Sequence, residues 1–472
     1  MTGVSELARA AQRVVVLGGG PGGYEAALVA AQLGADVTVV ERDGVGGAAV
    51  LTDVVPSKTL IATAEVMTLV DESVELGVRF PGGGTGSREP EGAVCVDLAV
   101  VNQRVRRLAQ AQSDDVHRRL EAEGVRIVRA AGRLEGPRRV VADGHAFDAD
   151  FVLVATGSRP RELPDAVPDG ERILTWKQLY HLGALPERLI VVGSGVTGAE
   201  FASAYDALGA DVVLVSSRDR VLPGEDADAA EVLEGVFRRR GLRVLPRSRA
   251  QQVKREGDGV VVTLTDGRTI EGSHCLMAVG SIANTADIGL VETGVRLTST
   301  GHVDVDRVSR TSAPGVYAAG DCTGVLPLAS VAAMQGRIAM WHSLGDAVTP
   351  LDLRTVSSNV FTAPELATVG ASQADVDSGR VPGNVVKLPL ATNPRAKMQG
   401  VRDGFVKLVA AAGSGTVLGG VVVAPRASEL IHPVTLAVTQ RLTVDDVAHA
   451  FTVYPSLSGS LAEAARRLHP HE

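Results

Sequence analysis

Residues 13–23 read RVVVLGGGPGG. Arg13 to Leu17 is a short apolar run without alternation, the pattern of a strand buried on both faces. Gly18, Gly20 and Gly23 then satisfy G-x-G-x-x-G, with Pro21 and Gly22 between them. An alanine-rich segment reaches Gly34, and residues 37–40, VTVV, form a second strand. Strand, glycine turn, helix and strand make a βαβ unit. The first glycine allows a tight turn, the second lets the backbone approach a pyrophosphate, and the third lets helix and strand pack closely. The helix N-terminus offers unpaired N–H groups to phosphate charge. Glu41, 23 residues after Gly18, ends the second strand, where a carboxylate accepts both ribose hydroxyls of an adenosine.

The unit recurs at an offset of 175 residues, from Gly18 to Gly193. LIVV at 189–192 leads into GSGVTG, in which Gly193, Gly195 and Gly198 repeat the spacing around Val196 and Thr197. LGADV at 33–37 matches LGADV at 208–212 without a gap, and Glu25 matches Glu200. Where the first unit has Glu41, the second has Ser216, then Ser217 and Arg218, with Arg220 beyond. A 2′-phosphate repels a carboxylate and favours an uncharged residue beside a guanidinium. The second unit therefore accommodates NADPH. NADH stays open, because Ser216 can bond a hydroxyl, and so does the plainer reading in which the arginines face solvent. The first unit, with Glu41, excludes a 2′-phosphate. A resident adenine dinucleotide in the first and a nicotinamide nucleotide in the second is the expectation.

Composition narrows the class. The chain has 472 residues with a net charge of −8, and its pI is 5.8, which argues against a nucleic-acid protein. Cys95, Cys275 and Cys322 form no CxxC, so a disulfide-framed secreted fold is out and cytoplasm is the default. The longest apolar stretches, such as 417–425, are strand-sized, so no integral membrane segment is expected. A peripheral visit to the membrane is left open. The histidines show no metal spacing, and His469 and His471 read as a tail, so no metal site is assigned.

The remaining landmarks divide the chain. Residues 1–12 read as a tail or short helix, 81–92 as a turn-rich loop and 97–123 as a long polar helix. The strand at 151–154 runs into Ala155, Thr156 and Gly157, and the strand at 275–279 ends at Gly280 in an echo of it. GVYAAGD at 315–321 ends another strand at Gly320 and Asp321. A hairpin strand is expected before the DG turn at 266–267. From about 350 the pattern shifts to strands at 404–409 and 417–423, with helices near 427–440, 443–449 and 457–468.

GGGPGG, VGGAAVLTDVVPSK at 45–58, ATG, GSGVTGAE, GVYAAGD and YPSLSGS form one ordered set. With it the chain resembles the FAD-dependent pyridine nucleotide–disulfide oxidoreductases, nearest the lipoamide dehydrogenases, over residues 12–469. The resemblance implies an α/β fold: two Rossmann-like three-layer nucleotide-binding domains, for FAD and NAD(P), and a C-terminal α+β dimerisation domain. The expected boundaries are 1–158 and 283–350 for the FAD-binding domain, 159–282 for the NAD(P)-binding domain and 351–472 for the interface domain. It also implies a homodimer. Gly18, Gly20, Pro21, Gly22, Gly23, Glu41, Arg42, Gly47, Lys58, Thr156, Gly157, Gly320 and Asp321 would hold FAD. Gly193, Gly195, Val196, Thr197, Gly198, Ser216, Ser217, Arg218 and Gly280 would hold NADPH or NADH. Lys58 and Glu200 would pair beside the flavin N5. Asn284 and Thr285 fit the return to the FAD domain, with Ser281 where an arginine is usual. Gln335, Gly336 and Arg337 resemble the stretch near the isoalloxazine.

The chain departs from that family at its thiol chemistry. Gly46, Gly47, Pro56, Ser57 and Lys58 keep the frame of GG-x-C-x-x-x-x-C-x-P-S-K, but its two cysteines fall on Ala49 and Val54. In the C-terminal H-P-T-x-x-E pattern the histidine falls on Tyr454 and the acid on Gly459. A methyl and an isopropyl group exchange no electrons with a thiol, and a phenol is a poor base for a dithiol at neutral pH. Electrons from NAD(P)H would then reach FAD and leave for a diffusible acceptor, a small aromatic molecule such as a quinone, which resembles the disulfide-less quinone reductases of actinobacteria. Tyr454 would meet that acceptor in the homodimer. Rival readings are a flavin reductase or oxidase serving oxygen, iron or a protein, a thiol reductase using an external cysteine pair, and a non-catalytic flavin-binding dimer. Cys322, beside Asp321, reads as a buried small residue.

Overall fold

The computed structural model describes residues 11–78 and 94–469. The turn-rich loop at 81–92, His471 and residues 1–10 of the N-terminal tail lie outside the described residues. Internal packing divides the chain into two compact units: residues 1–56, 106–161 and 281–352, and residues 57–105, 162–280 and 353–472.

The first unit is built on a parallel sheet in the order Val316–Ala318, Phe151–Val154, Arg13–Leu17, Asp36–Glu41 and Arg126–Arg129. Arg13–Leu17 pairs in register with Asp36–Glu41 and with Phe151–Val154, so it is central and buried on both faces. Val14 and Val16 point to the side of the helices Pro21–Gln32 and Ala329–Ser343, with Ala26, Ala27, Ala30 and Met340. Val15 and Leu17 point the other way, onto Val152, Val154, Leu134 and Cys322. Each such fully buried valine or leucine contributes about 1.5–3 kcal/mol over an exposed one. The helices Pro21–Gln32 and Ala329–Ser343 touch through glycines: a Cβ on Gly336 would sit 2.0 Å from the Gly22 carbonyl oxygen. Arg337 clamps the same pair by an ion pair to Glu25 at 2.7 Å.

The second unit repeats that plan. Its parallel sheet runs Arg243–Leu245, Asp211–Val215, Arg188–Val192, His274–Met277 and Ile173–Leu174. The strand Arg188–Val192, the helix Val196–Ala207 and the start of Asp211–Val215 each lie 175 residues after their counterparts in the first unit. The strand Gly259–Leu264 sits in an antiparallel sheet between Ala250–Glu256 and Thr269–Gly272. The C-terminal part of this unit is a five-stranded antiparallel sheet, Ser357–Val360, Glu365–Gly370, Val417–Ala424, Phe405–Ala411 and Gly383–Pro389. The helices Ala427–Leu430, His432–Gln440, Val444–His449 and Gly459–Arg467 accompany it.

One buried ion ties the parallel-sheet part of this unit to the C-terminal sheet. Lys407 has a side chain 1% exposed, and its Nζ reaches Asp226 at 2.8 Å, Asp228 at 2.7 Å and the Gln373 Oε1 at 2.7 Å. Asp226 also caps the helix Ala227–Arg240 by accepting from the Ala229 N–H. A buried ammonium persists only when its donors are met in this way. Among the described residues no helix is long and apolar enough to cross a membrane.

Candidate dinucleotide and hydride-transfer sites

In the first unit the glycine turn is fixed by contact on both sides. Gly18 has φ +104°, and a Cβ there would lie 2.3 Å from the Ala155 carbonyl oxygen. A Cβ on Gly23 would lie 1.9 Å from the Gly18 carbonyl oxygen. Gly20 differs: nothing lies within 4 Å of a Cβ built there. Gly20 caps the helix Pro21–Gln32, and no side chain bonds its first turn. Gly47 (φ +57°) folds over the turn so closely that a Cβ would fall 2.8 Å from the Gly20 Cα. Glu41 is 9% exposed; its Oε2 accepts the Gly19 N–H at 2.6 Å, and its Oε1 accepts the N–H groups of Asp43 and Gly44 at 2.7 and 3.2 Å. Oε1 thus has both lone pairs engaged, and Oε2 keeps one to give. Arg42 is exposed and bonded through two nitrogens to Asp43, at 3.1 and 2.9 Å.

Further acceptors line the same carboxyl ends of the sheet. Thr156 donates to the Asn284 carbonyl at 2.7 Å, and the Asn284 amide donates back to the Thr156 carbonyl at 3.0 Å. Thr285 is 8% exposed and donates to the Gly301 carbonyl. Gly157, at φ +66°, has open space beside it. Asp321 accepts from Ser158 at 2.7 Å, and the Gly320 N–H donates to Gln335, which is 1% exposed. These residues fit an adenine dinucleotide of the FAD type: an open approach at Gly20, an uncapped helix end for the phosphates, and carboxylates at Glu41 and Asp321 held for hydroxyls. Cys322 is fully buried, with its thiol against the Val154 and Ala319 carbonyls; burial pushes that thiol up to about 11. All three cysteines are free, and Ala49 and Val54 occupy the positions that a cysteine pair would need.

The second unit reproduces the turn. A Cβ on Gly193 would lie 2.2 Å from the Ala278 carbonyl oxygen, one on Gly198 1.8 Å from the Gly193 carbonyl oxygen, and one on Gly195 meets nothing. Val196 is exposed and Thr197 half-buried at the start of the helix, and Gly280 has φ +93° with space around it. These too fit a dinucleotide. Ser216 lies elsewhere than expected. It is fully buried, and its hydroxyl meets Ser194 at 2.7 Å and accepts the Arg218 N–H at 3.2 Å, so it holds the loop together from inside. Ser217 and Arg218 are the exposed groups, and the Arg218 side chain has no partner among the described residues. Arg220 is spent on the Pro223 and Glu225 carbonyls.

Lys58 and Glu200 come together within the second unit, 142 residues apart in sequence and 2.7 Å between Nζ and Oε2. Glu200 is 4% exposed, and its other oxygen accepts the Phe361 N–H at 2.9 Å. Lys58 Nζ stands 4.8 Å from the centre of the Phe361 ring. Phe361 is a neighbour of the pair that sequence spacing does not reveal, and Ser203, one helical turn beyond Glu200, accepts the Ala363 N–H. Tyr454 is not gathered in: it is 83% exposed, in a stretch with Phe451 at 107% and Val453 at 78%. Ser281 is exposed on a short strand paired with Ser158–Pro160. His469 pairs with Asp445 at 2.7 Å, and no group of three metal-binding side chains occurs among the described residues.

Comparison with known proteins agrees with this geometry. The family model for pyridine nucleotide-disulphide oxidoreductases matches residues 12–336, and that for their dimerisation domain matches residues 356–465. An NAD(P)H dehydrogenase (quinone) of Mycobacterium tuberculosis is 53% identical over 98% of this chain and 94% of its own. A dihydrolipoyl dehydrogenase of Zymomonas mobilis is 33% identical over 96% of each. The crystal structure of LpdA from Mycobacterium tuberculosis superposes with a TM-score of 0.91 at 53% identity, covering 97% of this chain and 100% of that one. The fold, the paired glycine turns and these matches agree: the chain belongs to the pyridine nucleotide-disulphide oxidoreductase family, an FAD- and NAD(P)H-using group of enzymes.

Proposed function

We propose that this chain is an NAD(P)H dehydrogenase that passes electrons to a quinone or similar flat, diffusible acceptor without a redox disulfide. The observation that carries the reading is a contrast. The Lys58–Glu200 pair is built, with Glu200 buried and Lys58 half-buried, while the cysteine positions of the family frame hold Ala49 and Val54. The name of the Mycobacterium tuberculosis relative supports the acceptor class.

The chain's own residues divide the work. Gly18 to Gly23, Gly47, Glu41, Thr156, Gly157, Gly320 and Asp321 hold FAD, which supplies hydride uptake and one- or two-electron release when bound. Gly193 to Gly198 and Gly280 receive the nicotinamide nucleotide, with Ser217 and Arg218 at its ribose. Lys58, held by Glu200 and the face of Phe361, keeps a positive charge where the family pattern places the reacting ring, and so stabilises developing negative charge. In balance, NAD(P)H, a proton and a quinone give NAD(P)⁺ and a quinol.

The same reading assigns residues 1–158 and 283–350 to FAD, 159–282 to the nucleotide and 351–472 to the interface of a homodimer. In that dimer the exposed Tyr454 would border the acceptor. Three free cysteines suit a reducing compartment, the cytoplasm.

The test is an anaerobic titration with NADPH, then with quinones, oxygen and disulfides, following the flavin spectrum. Bleaching by NADPH and rapid recovery with quinones is expected. Recovery much faster with oxygen or a disulfide, or no bleaching at all, would overturn it.

A further inference from the structure

We propose that Arg247 is the second guanidinium of the coenzyme's 2′-phosphate pocket, facing Arg218 across the ends of two neighbouring strands. This rests on the reading that Arg218 receives that phosphate. The strands Asp211–Val215 and Arg243–Leu245 run parallel, and their carboxyl ends are where such sheets bind ligands. Three main-chain bonds zip the loops beyond them. The Ser216 N–H donates to Leu245, the Arg247 N–H donates to Arg218 at 2.7 Å, and the Ser248 N–H donates to Ser216 at 2.7 Å. Arg218 and Arg247 are thus backbone neighbours although 29 residues separate them in sequence.

The pair is unspent. Both residues are exposed, and neither guanidinium has a partner among the described residues. Two arginines nearby are engaged, Arg220 on loop carbonyls and Arg268 on Asp266 and Ser248, while Arg249 is exposed and serves as the control. Arg247 also has φ +50°, a left-handed conformation that costs an arginine more than a glycine. Strain of this kind concentrates where a side chain must be aimed at a ligand. Two guanidinium forks springing from bonded backbones suit a phosphomonoester, whose oxygens accept several N–H donors at once. A bare ribose hydroxyl offers no such charge.

The test uses the FAD-loaded dimer. Arg247→Gly is the main variant, because glycine keeps the left-handed turn; Arg247→Ala, Arg218→Ala and Arg249→Ala accompany it. Arg247→Gly should raise the ratio of KM for NADPH to KM for NADH about tenfold and weaken binding of adenosine 2′,5′-bisphosphate by a similar factor. Arg249→Ala should move neither. If Arg218→Ala shifts both readouts and Arg247→Gly shifts neither, Arg247 is no part of the pocket and the reading of Arg218 survives. If neither variant shifts them, both fall. An equal effect of Arg249→Ala would reduce the finding to a diffuse positive field and overturn the assignment.

Discussion

Lys58 Nζ is fixed from two sides, 2.7 Å from the Glu200 carboxylate and 4.8 Å from the centre of the Phe361 ring. Phe361 closes the arrangement, because its own N–H binds the second oxygen of Glu200. The carboxylate is therefore oriented by backbone before it orients the lysine. Removing Lys58 as Lys58→Ala should slow anaerobic flavin reduction by NAD(P)H about a hundredfold while FAD content stays full. Glu200→Gln should slow it less, and the double variant should cost less than the two changes summed, as expected of groups in contact. Stopped-flow traces at 450 nm, the usual flavin band, decide it, and an unchanged rate in Lys58→Ala would remove that lysine from the reaction.

The glycines of one turn should separate folding from binding. Gly23→Ala puts a methyl 1.9 Å from the Gly18 carbonyl oxygen and should cost about 3 kcal/mol or more of stability with or without FAD. Gly20→Ala meets no protein atom. Its apoprotein should melt near the wild-type temperature yet retain much less FAD. Thermal melts of apoprotein beside the flavin-to-protein absorbance ratio make the comparison, and a Gly20→Ala protein that binds FAD normally would count against the phosphate approach assigned there.

A variant with Cys95, Cys275 and Cys322 all replaced by alanine or serine should keep its NAD(P)H–quinone turnover within about twofold, since surface and volume-conserving changes cost little. Cys275 and Cys322 are fully buried, and burial pushes both thiols up, away from the reactive thiolate. Loss of turnover with intact folding and FAD content would restore a thiol route.

Acid should find a weak point at His274. This residue is 9% exposed, and its ring meets Arg172 at 3.1 Å and Ser273 at 3.1 Å. Burial first, and the Arg172 charge second, bring its pKa from 6.5 down to about 4. Between those values the unfolded chain binds the extra proton. The stability present above pH 6.5 is therefore lost as pH falls toward 4. Urea midpoints of His274→Gln should fall less steeply over that window than those of the wild type, and parallel slopes would refute the assignment.

Much of the fold is legible in sequence where burial is two-sided. Arg13–Leu17 and Arg188–Val192 announce themselves as unbroken apolar runs ended by glycines that no side chain can replace. The antiparallel strands Gly132–Gly136, Arg139–Ala142 and His145–Asp148 do not, because they are short and alternate with exposed charge. Lys58 and Glu200 are legible through family spacing, but Phe361 is not, since only the tertiary fold brings its amide to Glu200. Ser216 shows the limit of positional analogy. It stands where Glu41 stands in the first unit, yet its smaller side chain is taken up by Ser194 of the glycine turn and by the carbonyls of its own loop.

The doubled turn also bears on how such an enzyme can change. Glu25 and Glu200 occupy equivalent positions in the two copies, and each has captured a different cation, Arg337 in one and Lys58 in the other. The glycine framework beneath them is the same to within 0.1 Å in its tightest approaches. Divergence is thus confined to what leans over a conserved backbone. A lineage could exchange its preferred coenzyme, or recruit a new charge to the reacting ring, by altering a few rim side chains without ever passing through an unfolded ancestor.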